Sequence, residues 1–232
     1  MNTIRTHVRG QMGVQILQAF TALSSINADE EPIICVCSGG LTYDGTNKLG
    51  LVFNTKCRVI DIDDIVRKTP YWVDGAATKI FENRDNIFKW LQPKSFPTKE
   101  NLDVAVHIRG KDKPTVSKKS YRYLVDEVAS RHDNVIAYTD DKDFADTLLA
   151  NTPNIRTSTQ SVIDDWADMY NSQIVYSSPS AFIMSMLLIN PNKHVVVLGD
   201  KYCDGGYPHF TNDLLFIREA KQFCPNMEIW DE

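Results

Sequence analysis

The sequence predicts an α/β protein of two lobes, each a parallel sheet flanked by helices, with a cleft between the lobes. Three observations predict it. Short β-rich apolar runs alternate with longer segments of helical period along the chain. The run Pro32 to Val36 (PIICV) is apolar on consecutive residues, as in strands buried on both faces. Residues 92–101 (QPKSFPTKEN) carry two prolines among mostly polar side chains, which marks a boundary between halves. The lobes are therefore expected at 1–96 and 97–232.

Taken in order, Ile4 to Val8 reads as a strand, Gly10 to Gly13 as a tight turn, and Val14 to Ile26 as a helix with Ile16, Leu17, Phe20 and Leu23 on one side. Pro32 to Val36 is the second strand. Residues 38–56 open with SGGLTYDGTNKLG and predict a long, mobile loop. Cys57 to Ile60 reads as a strand followed by an acidic helix start, and 75–91 as one helix ending before Pro93. In the second half, strands are expected near 103–108, 134–138, 154–156, 173–176 and 194–198. Helices are expected near 118–131, 141–150, 161–170, 180–189 and 212–223. In such folds ligands bind beyond the carboxyl ends of the strands, here in the cleft between lobes.

Composition narrows the classes of function. Apolar residues at 43% and charged residues at 24% are ordinary for a globular chain of 232 residues. A net charge of −5 argues against general nucleic-acid binding, which calls for a basic surplus. The five cysteines (Cys35, Cys37, Cys57, Cys203 and Cys224) are odd in number and irregular in spacing, so they do not predict a disulfide framework; a reducing, cytoplasmic setting fits them. No run of about 18 apolar residues predicts a membrane span, and the stretch from Met1 to Arg5 lacks the apolar core of a signal peptide.

Four segments carry chemistry. Val104 to Ile108 is an apolar strand that runs into His107, Arg109, Gly110, Lys111, Asp112 and Lys113. At a strand's carboxyl end, Arg109 is able to chelate phosphate oxygens through two parallel N–H bonds and Lys113 adds a point charge. Asp112 would hold the arginine fork or accept from a sugar hydroxyl. Val135 to Tyr138 ends in Thr139-Asp140-Asp141, where Thr139 or Asp140 is expected to cap the next helix. From Asp165 to Phe182, a helix carrying Asp165 and Met169 leads through a strand to Ser177-Ser178-Pro179-Ser180. Hydroxyls, free N–H groups and a helix dipole there suit an anion, and a plain serine cap with Pro179 in the first helical turn suits the same residues. At the start, Gly10 and Gly13 let a ligand approach the backbone, although a G-x-x-G lacks the third glycine of a dinucleotide site.

Together these segments resemble the fucosyltransferase superfamily. Gly10, Gly13, Gln15 and Gln18 form a G-x-x-G-x-Q-x-x-Q opening similar to that of the α-1,2-fucosyltransferases, the group closest in motifs. His107-x-Arg109-x-x-Asp112 resembles the H-x-R-x-x-D motif of the α-1,2-, α-1,6- and protein O-fucosyltransferases, and Lys113 extends the match towards the α-1,6 group. Thr139-Asp140-Asp141 and the stretch from Asp165 through Met169 to Ser178 and Ser180 resemble their second and third motifs. The resemblance implies a GT-B-like fold of two Rossmann-like lobes, the first on the acceptor side and the second binding a nucleotide sugar. It implies an inverting transfer of L-fucose from GDP-fucose to a glycan hydroxyl, with no metal cofactor. Arg109 would hold the β-phosphate of the departing GDP, His107 and Asp165 would contact the guanine nucleoside, and Ser178 and Ser180 would hold phosphate. Thr139, Asp140, Asp141 and Lys113 complete the donor side, and Gly10, Gly13 and Gln15 would line the cleft. The chain departs from the pattern in its shortness, in Gly110-Lys111 after Arg109, and in Val14 before Gln15.

Departure of GDP builds charge on its β-phosphate, which a preset arginine and helix N-terminus stabilise. An acceptor hydroxyl needs a group to take its proton. Residues 114–125 contain no acid, so Asp112 is the candidate base, beside proton transfer to the leaving phosphate and Asp44. Two other readings stay open. Asp61-Ile62-Asp63 after a strand fits the metal-binding D-x-D of a GT-A-type transferase. A non-catalytic sugar-nucleotide or glycan-binding protein would use the same fold without turnover.

Overall fold

The computed structural model describes residues 2–8, 11–27, 30–37, 47–62, 73–96, 103–110, 116–158, 160–203 and 208–231. The chain divides into two units. The first is Met1–Ser95 with Leu215–Ala220, and the second is Phe96–Leu214 with Lys221–Glu232.

The first unit runs β1 (Asn2–Val8), α1 (Met12–Leu23), β2 (Glu30–Cys37), α2 (Leu49–Val52), β3 (Phe53–Thr55), β4 (Arg58–Ile62), α3 (Ala76–Glu82), α4 (Arg84–Trp90) and β5 (Leu91–Pro93). Strands β1, β2 and β4 form a parallel sheet in that spatial order, and β3 pairs antiparallel with β5. Helix α1 is buried around most of its circumference, with Ile16, Leu17, Phe20 and Leu23 fully enclosed. The expected turn from Gly10 to Gly13 gives way to helix: α1 begins at Met12, and Gly13 is buried in its first turn. The expected loop over 38–56 is partly regular. Residues 38–46 lie outside the described residues, but Leu49, Val52 and Phe53 are buried, and Phe53 meets Phe20 with ring centroids 5.6 Å apart. These apolar side chains at the end of a glycine-rich stretch find a core, which overrides its loop composition. The single helix expected over 75–91 breaks at Asn83 (φ −106°, ψ 14°) into α3 and α4. Gly75 starts α3 in the left-handed region (φ 77°), which a side chain would strain. Its N–H and that of Ala77 donate to the Glu219 carboxylate (2.7 and 3.2 Å), a remote cap for this helix.

The second unit runs β6 (Val104–Ile108), α5 (Lys118–Arg131), β7 (Val135–Thr139), α6 (Lys142–Leu149), β8 (Ile155–Thr157), α7 (Val162–Asn171), β9 (Ile174–Ser177), α8 (Ala181–Ile189), β10 (His194–Leu198), the start of α9 (Pro208–Ala220), whose residues from Leu215 on belong to the first unit, and β11 (Met227–Trp230), with a 3-10 turn at Asp200–Tyr202. Six parallel strands lie in the order β11-β10-β9-β6-β7-β8. Five were expected. The sixth, β11, is a four-residue edge strand whose pairing with β10 (Val195 opposite Met227) creates it.

The strand period of two sorts this sheet into unlike faces. Val104, Val106, Ile108, Val135, Ala137, Tyr176, Val196 and Leu198 share one apolar cluster with Tyr121, Leu124, Val125 and Val128 of α5, Ala145 and Leu148 of α6, and Leu214 of α9. The alternate residues, among them His107, Tyr138 and Ser177, point to the other face, where His107 meets Phe182 of α8. Among the described residues four helices open with a side-chain cap: Ser117, Asp141, Ser161 and Ser180 accept from the N–H of Ser120, Phe144, Asp164 and Ile183. At the far end of α7, the buried Lys193 ammonium donates to the Ser172 carbonyl and hydroxyl, and burial pushes its pKa down to about 8.

Candidate active site

The carboxyl ends of β6, β7 and β9 are neighbours, so residues far apart in sequence meet there. His107 lies opposite Ser177 of β9 on one side and Tyr138 of β7 on the other. Its Nδ1 is 3.1 Å from Ser177 Oγ, and Ser177 Oγ donates its one proton to the Ser178 carbonyl (2.6 Å). That leaves Ser177 Oγ only as an acceptor for His107, so the imidazole carries its proton on Nδ1 and presents Nε2 as an acceptor. Phe182 stacks on the ring at 5.4 Å. Burial, aided by the nearby Arg109 charge, pushes the His107 pKa down to about 3. The ring is therefore neutral at pH 7. It suits a hydrogen-bond donor on a ligand better than a phosphate.

One residue past β6, the Arg109 N–H has left the ladder and donates to the Tyr121 hydroxyl (3.0 Å). That hydroxyl is 2.8 Å from Ser178 Oγ. Arg109 and Ser178 thus converge through one buried phenol. The Gly110 N–H donates to Asp140 Oδ1 (2.8 Å). A Cβ on Gly110 would stand 2.7 Å from Asp141 Cβ and 2.9 Å from Phe144 Cδ1, so glycine is required by close approach. Asp112 and Lys113 lie outside the described residues.

The Thr139-Asp140-Asp141 segment divides its work differently from expectation. Asp141, not Thr139 or Asp140, caps α6, with Oδ1 accepting from Phe144 N–H (3.1 Å). Thr139 Oγ1 accepts from Asp141 N–H (3.0 Å), and Asp140 holds Gly110. Pro179 likewise precedes the cap rather than entering the helix: Ser180 is the N-cap of α8, and Ala181 is its first residue.

Asp165 stands in the first turn of α7, where Ser158 Oγ donates to its Oδ1 (2.5 Å). One turn on, the buried Asp168 accepts from Gln160 Nε2 (2.6 Å). The Tyr138 hydroxyl is buried without a hydrogen-bond partner among the described residues. Burial first, then the Asp168 and Asp165 charges, hold its pKa well above the usual phenol range. A helical spacing of three places Asp165 and Asp168 on one side of α7, and the β6–β7 register sets Tyr138 beside His107. The sequence did not single out Tyr121, Tyr138 or Asp168, which look like ordinary helix or strand residues; Ser177 stood in the Ser177-Ser178-Pro179-Ser180 run as a group for an anion, whereas its hydroxyl partners His107.

In the first unit, Gln15 is fully buried and its Oε1 accepts from the Lys48 N–H (3.0 Å), tying α1 to the segment before α2. Gly10, Asp44 and Asp63 lie outside the described residues, and Asp61 lies within β4. Among the described residues no group of three His, Cys, Asp or Glu is placed to hold a metal. No described helix is long and apolar enough to cross a membrane.

No protein-family model and no curated protein matches the chain. Solved structures do. E. coli heptosyltransferase WaaC with ADP is 10% identical with a TM-score of 0.55, over 99% of this chain and 92% of that one. E. coli ADP-heptose lipopolysaccharide heptosyltransferase II is 8% identical with a TM-score of 0.52, over 99% and 90%. NodZ α-1,6-fucosyltransferase soaked with GDP-fucose, an enzyme of Bradyrhizobium, is 12% identical with a TM-score of 0.50, over 89% and 97%. The chain has the α/β, GT-B-like fold of these glycosyltransferases, and its likeness extends to heptosyltransferases as well as to a fucosyltransferase.

Proposed function

We propose that this chain is an inverting, metal-independent glycosyltransferase that moves a sugar, L-fucose from GDP-fucose in the first place, to a glycan hydroxyl. The observation that carries the reading is the meeting of Arg109 and Ser178 on the Tyr121 hydroxyl, next to the N-terminus of α8. The Arg109 backbone is held there; its guanidinium, reaching from that root, and the opening N–H groups of α8 would suit the β-phosphate of a leaving nucleoside diphosphate. They stabilise its growing charge without reorganising.

The choice of guanine rests on Asp165. Ser158 orients its carboxylate, which would then accept from the paired N–H groups on a guanine edge. A neutral His107 with Nε2 as acceptor would take a further donor from the nucleoside. Asp112 remains the proposed base for the acceptor hydroxyl. The fucosyl-type motifs favour fucose, while the same fold in ADP-bound WaaC makes an adenine nucleotide the natural competitor.

A thermal-shift and calorimetric panel of GDP, UDP, CDP, ADP and their sugars tests the reading in the presence of EDTA. Selective binding of GDP, followed by transfer from GDP-fucose to an oligosaccharide array, is expected. Preference for ADP would move the donor to an adenine nucleotide. GDP binding with no transfer to any acceptor would favour a sugar-nucleotide-binding protein, and activity that needs Mn²⁺ would overturn the metal-free mechanism.

A further inference from the structure

We infer that Tyr121 is a positioning residue of the anion-binding end of the second unit: its hydroxyl sets the placement of Arg109 relative to Ser178. This rests on the donor-binding reading of Arg109 and Ser178 given above.

Tyr121 is fully buried in the first turn of α5, which Ser117 caps. Its ring belongs to the apolar cluster and meets Phe144 edge-on at 5.9 Å, so the side chain has little freedom to swing. Packing thus aims one hydroxyl at the strand ends. That hydroxyl accepts from Arg109 N–H at 3.0 Å and bonds Ser178 Oγ at 2.8 Å. Pairing of β6 with β9 stops at His107 and Ser177, and with β7 at Ile108 and Thr139. Both residues that Tyr121 holds therefore lie just past the last sheet pair, where the ladder no longer fixes the backbone. Asp140 performs the matching task one residue on, at Gly110. Arg109 is thereby presented from a backbone pinned at two successive N–H groups. A long, flexible side chain gains precision for a phosphate from a fixed root.

Tyr121→Phe tests this, because it keeps the ring and removes only the oxygen. Three quantities are measured at a temperature well below unfolding: GDP affinity by calorimetry, steady-state donor and acceptor KM, and hydrogen exchange of the Arg109 amide. The expected result is a roughly tenfold weaker GDP affinity, a matching rise in donor KM, an unchanged acceptor KM, and faster exchange at Arg109 but not within β6. Ser178→Ala is expected to weaken GDP at least as much, since it removes both the Tyr121 bond and the donor contact proposed for Ser178, and the double variant to lose less than the sum of the two single losses, since the Tyr121–Ser178 bond is shared. GDP affinity equal to wild type in Tyr121→Phe, or unchanged Arg109 exchange, overturns the proposal. A residue that merely supported the fold would lower the melting temperature and leave donor affinity alone. Should wild type bind no nucleotide, the functional reading fails by itself, and Arg109 exchange still decides whether Tyr121 holds the strand end.

Discussion

The two faces of the six-stranded sheet use the same strands and teach different lessons. On the face covered by α5 and α6, the described clustered residues are aliphatic or aromatic, and the Tyr121 hydroxyl is carried through to the strand ends. On the opposite face, the last inward residues of β6, β7 and β9 are His107, Tyr138 and Ser177, backed by Asp165 and Asp168. The first face binds the unit together. The second gives up apolar burial at its carboxyl end for hydrogen-bonding groups, of which the buried Tyr138 hydroxyl has no partner among the described residues, and such a group is the mark of a site rather than of a core.

That contrast breaks most sharply at Arg109. Arg109→Ala is expected to cut transfer by ~100-fold or more, the scale of losing one preset group that meets a developing oxyanion, while the melting temperature stays within a degree or two of wild type. Turnover like wild type would remove Arg109 from the site.

Leu124→Ala on the apolar face should do the reverse. Leu124 is fully buried in the cluster, so truncation is expected to cost ~3 kcal/mol in urea unfolding and to leave GDP affinity per folded molecule unchanged.

His107→Asn sharpens the other side. The folded His107 pKa of about 3 lies below the unfolded value near 6.5, so the unfolded chain takes up a proton that the folded one refuses. Stability from neutral His107 is whole above the unfolded pKa and drains as pH falls from there towards 3. The partly exposed ring makes about 1.4 kcal/mol per pH unit an upper bound. Asparagine keeps a donor for Ser177, and the wild-type-minus-variant stability should shrink between pH 6 and 4 on the order of this slope. A constant difference would place a titrating imidazole elsewhere.

The smallest expected effect runs towards greater stability. Tyr138→Phe removes a buried hydroxyl without a partner among the described residues, and should stabilise the unliganded protein by ~1 kcal/mol. Destabilisation would mean that the hydroxyl has a partner worth more than its burial.

Much of this was legible in the chain. Strand and helix alternate wherever periodicity is strong, and polar residues cluster where apolar strands end: His107 to Gly110, Thr139 to Asp141, Ser177 to Ser180. Local chemistry marked where α6 and α8 begin but not which residue caps them: among the adjacent cap-forming residues of Thr139-Asp140-Asp141 geometry chose Asp141, and after Ser177-Ser178-Pro179 it chose Ser180. The α/β class followed from this order of elements and the GT-B-like fold from the resemblance of the motifs, and the solved neighbours share that fold. Edge strand β11 did not, because four residues carry too little pattern and their partner lies more than thirty positions away in β10.

Sequence alone determined which residue types stand at each strand end, because secondary-structure period and capping are local properties. Tertiary structure decided which of them meet. Ser177 and Ser178 are equivalent as letters, yet the pairing of His107 with Ser177 sends one hydroxyl to the imidazole and the other to Tyr121, 57 residues away. In a strand a slip of one residue exchanges the faces. Register is fixed by the packing of the whole sheet, which no short window of sequence contains.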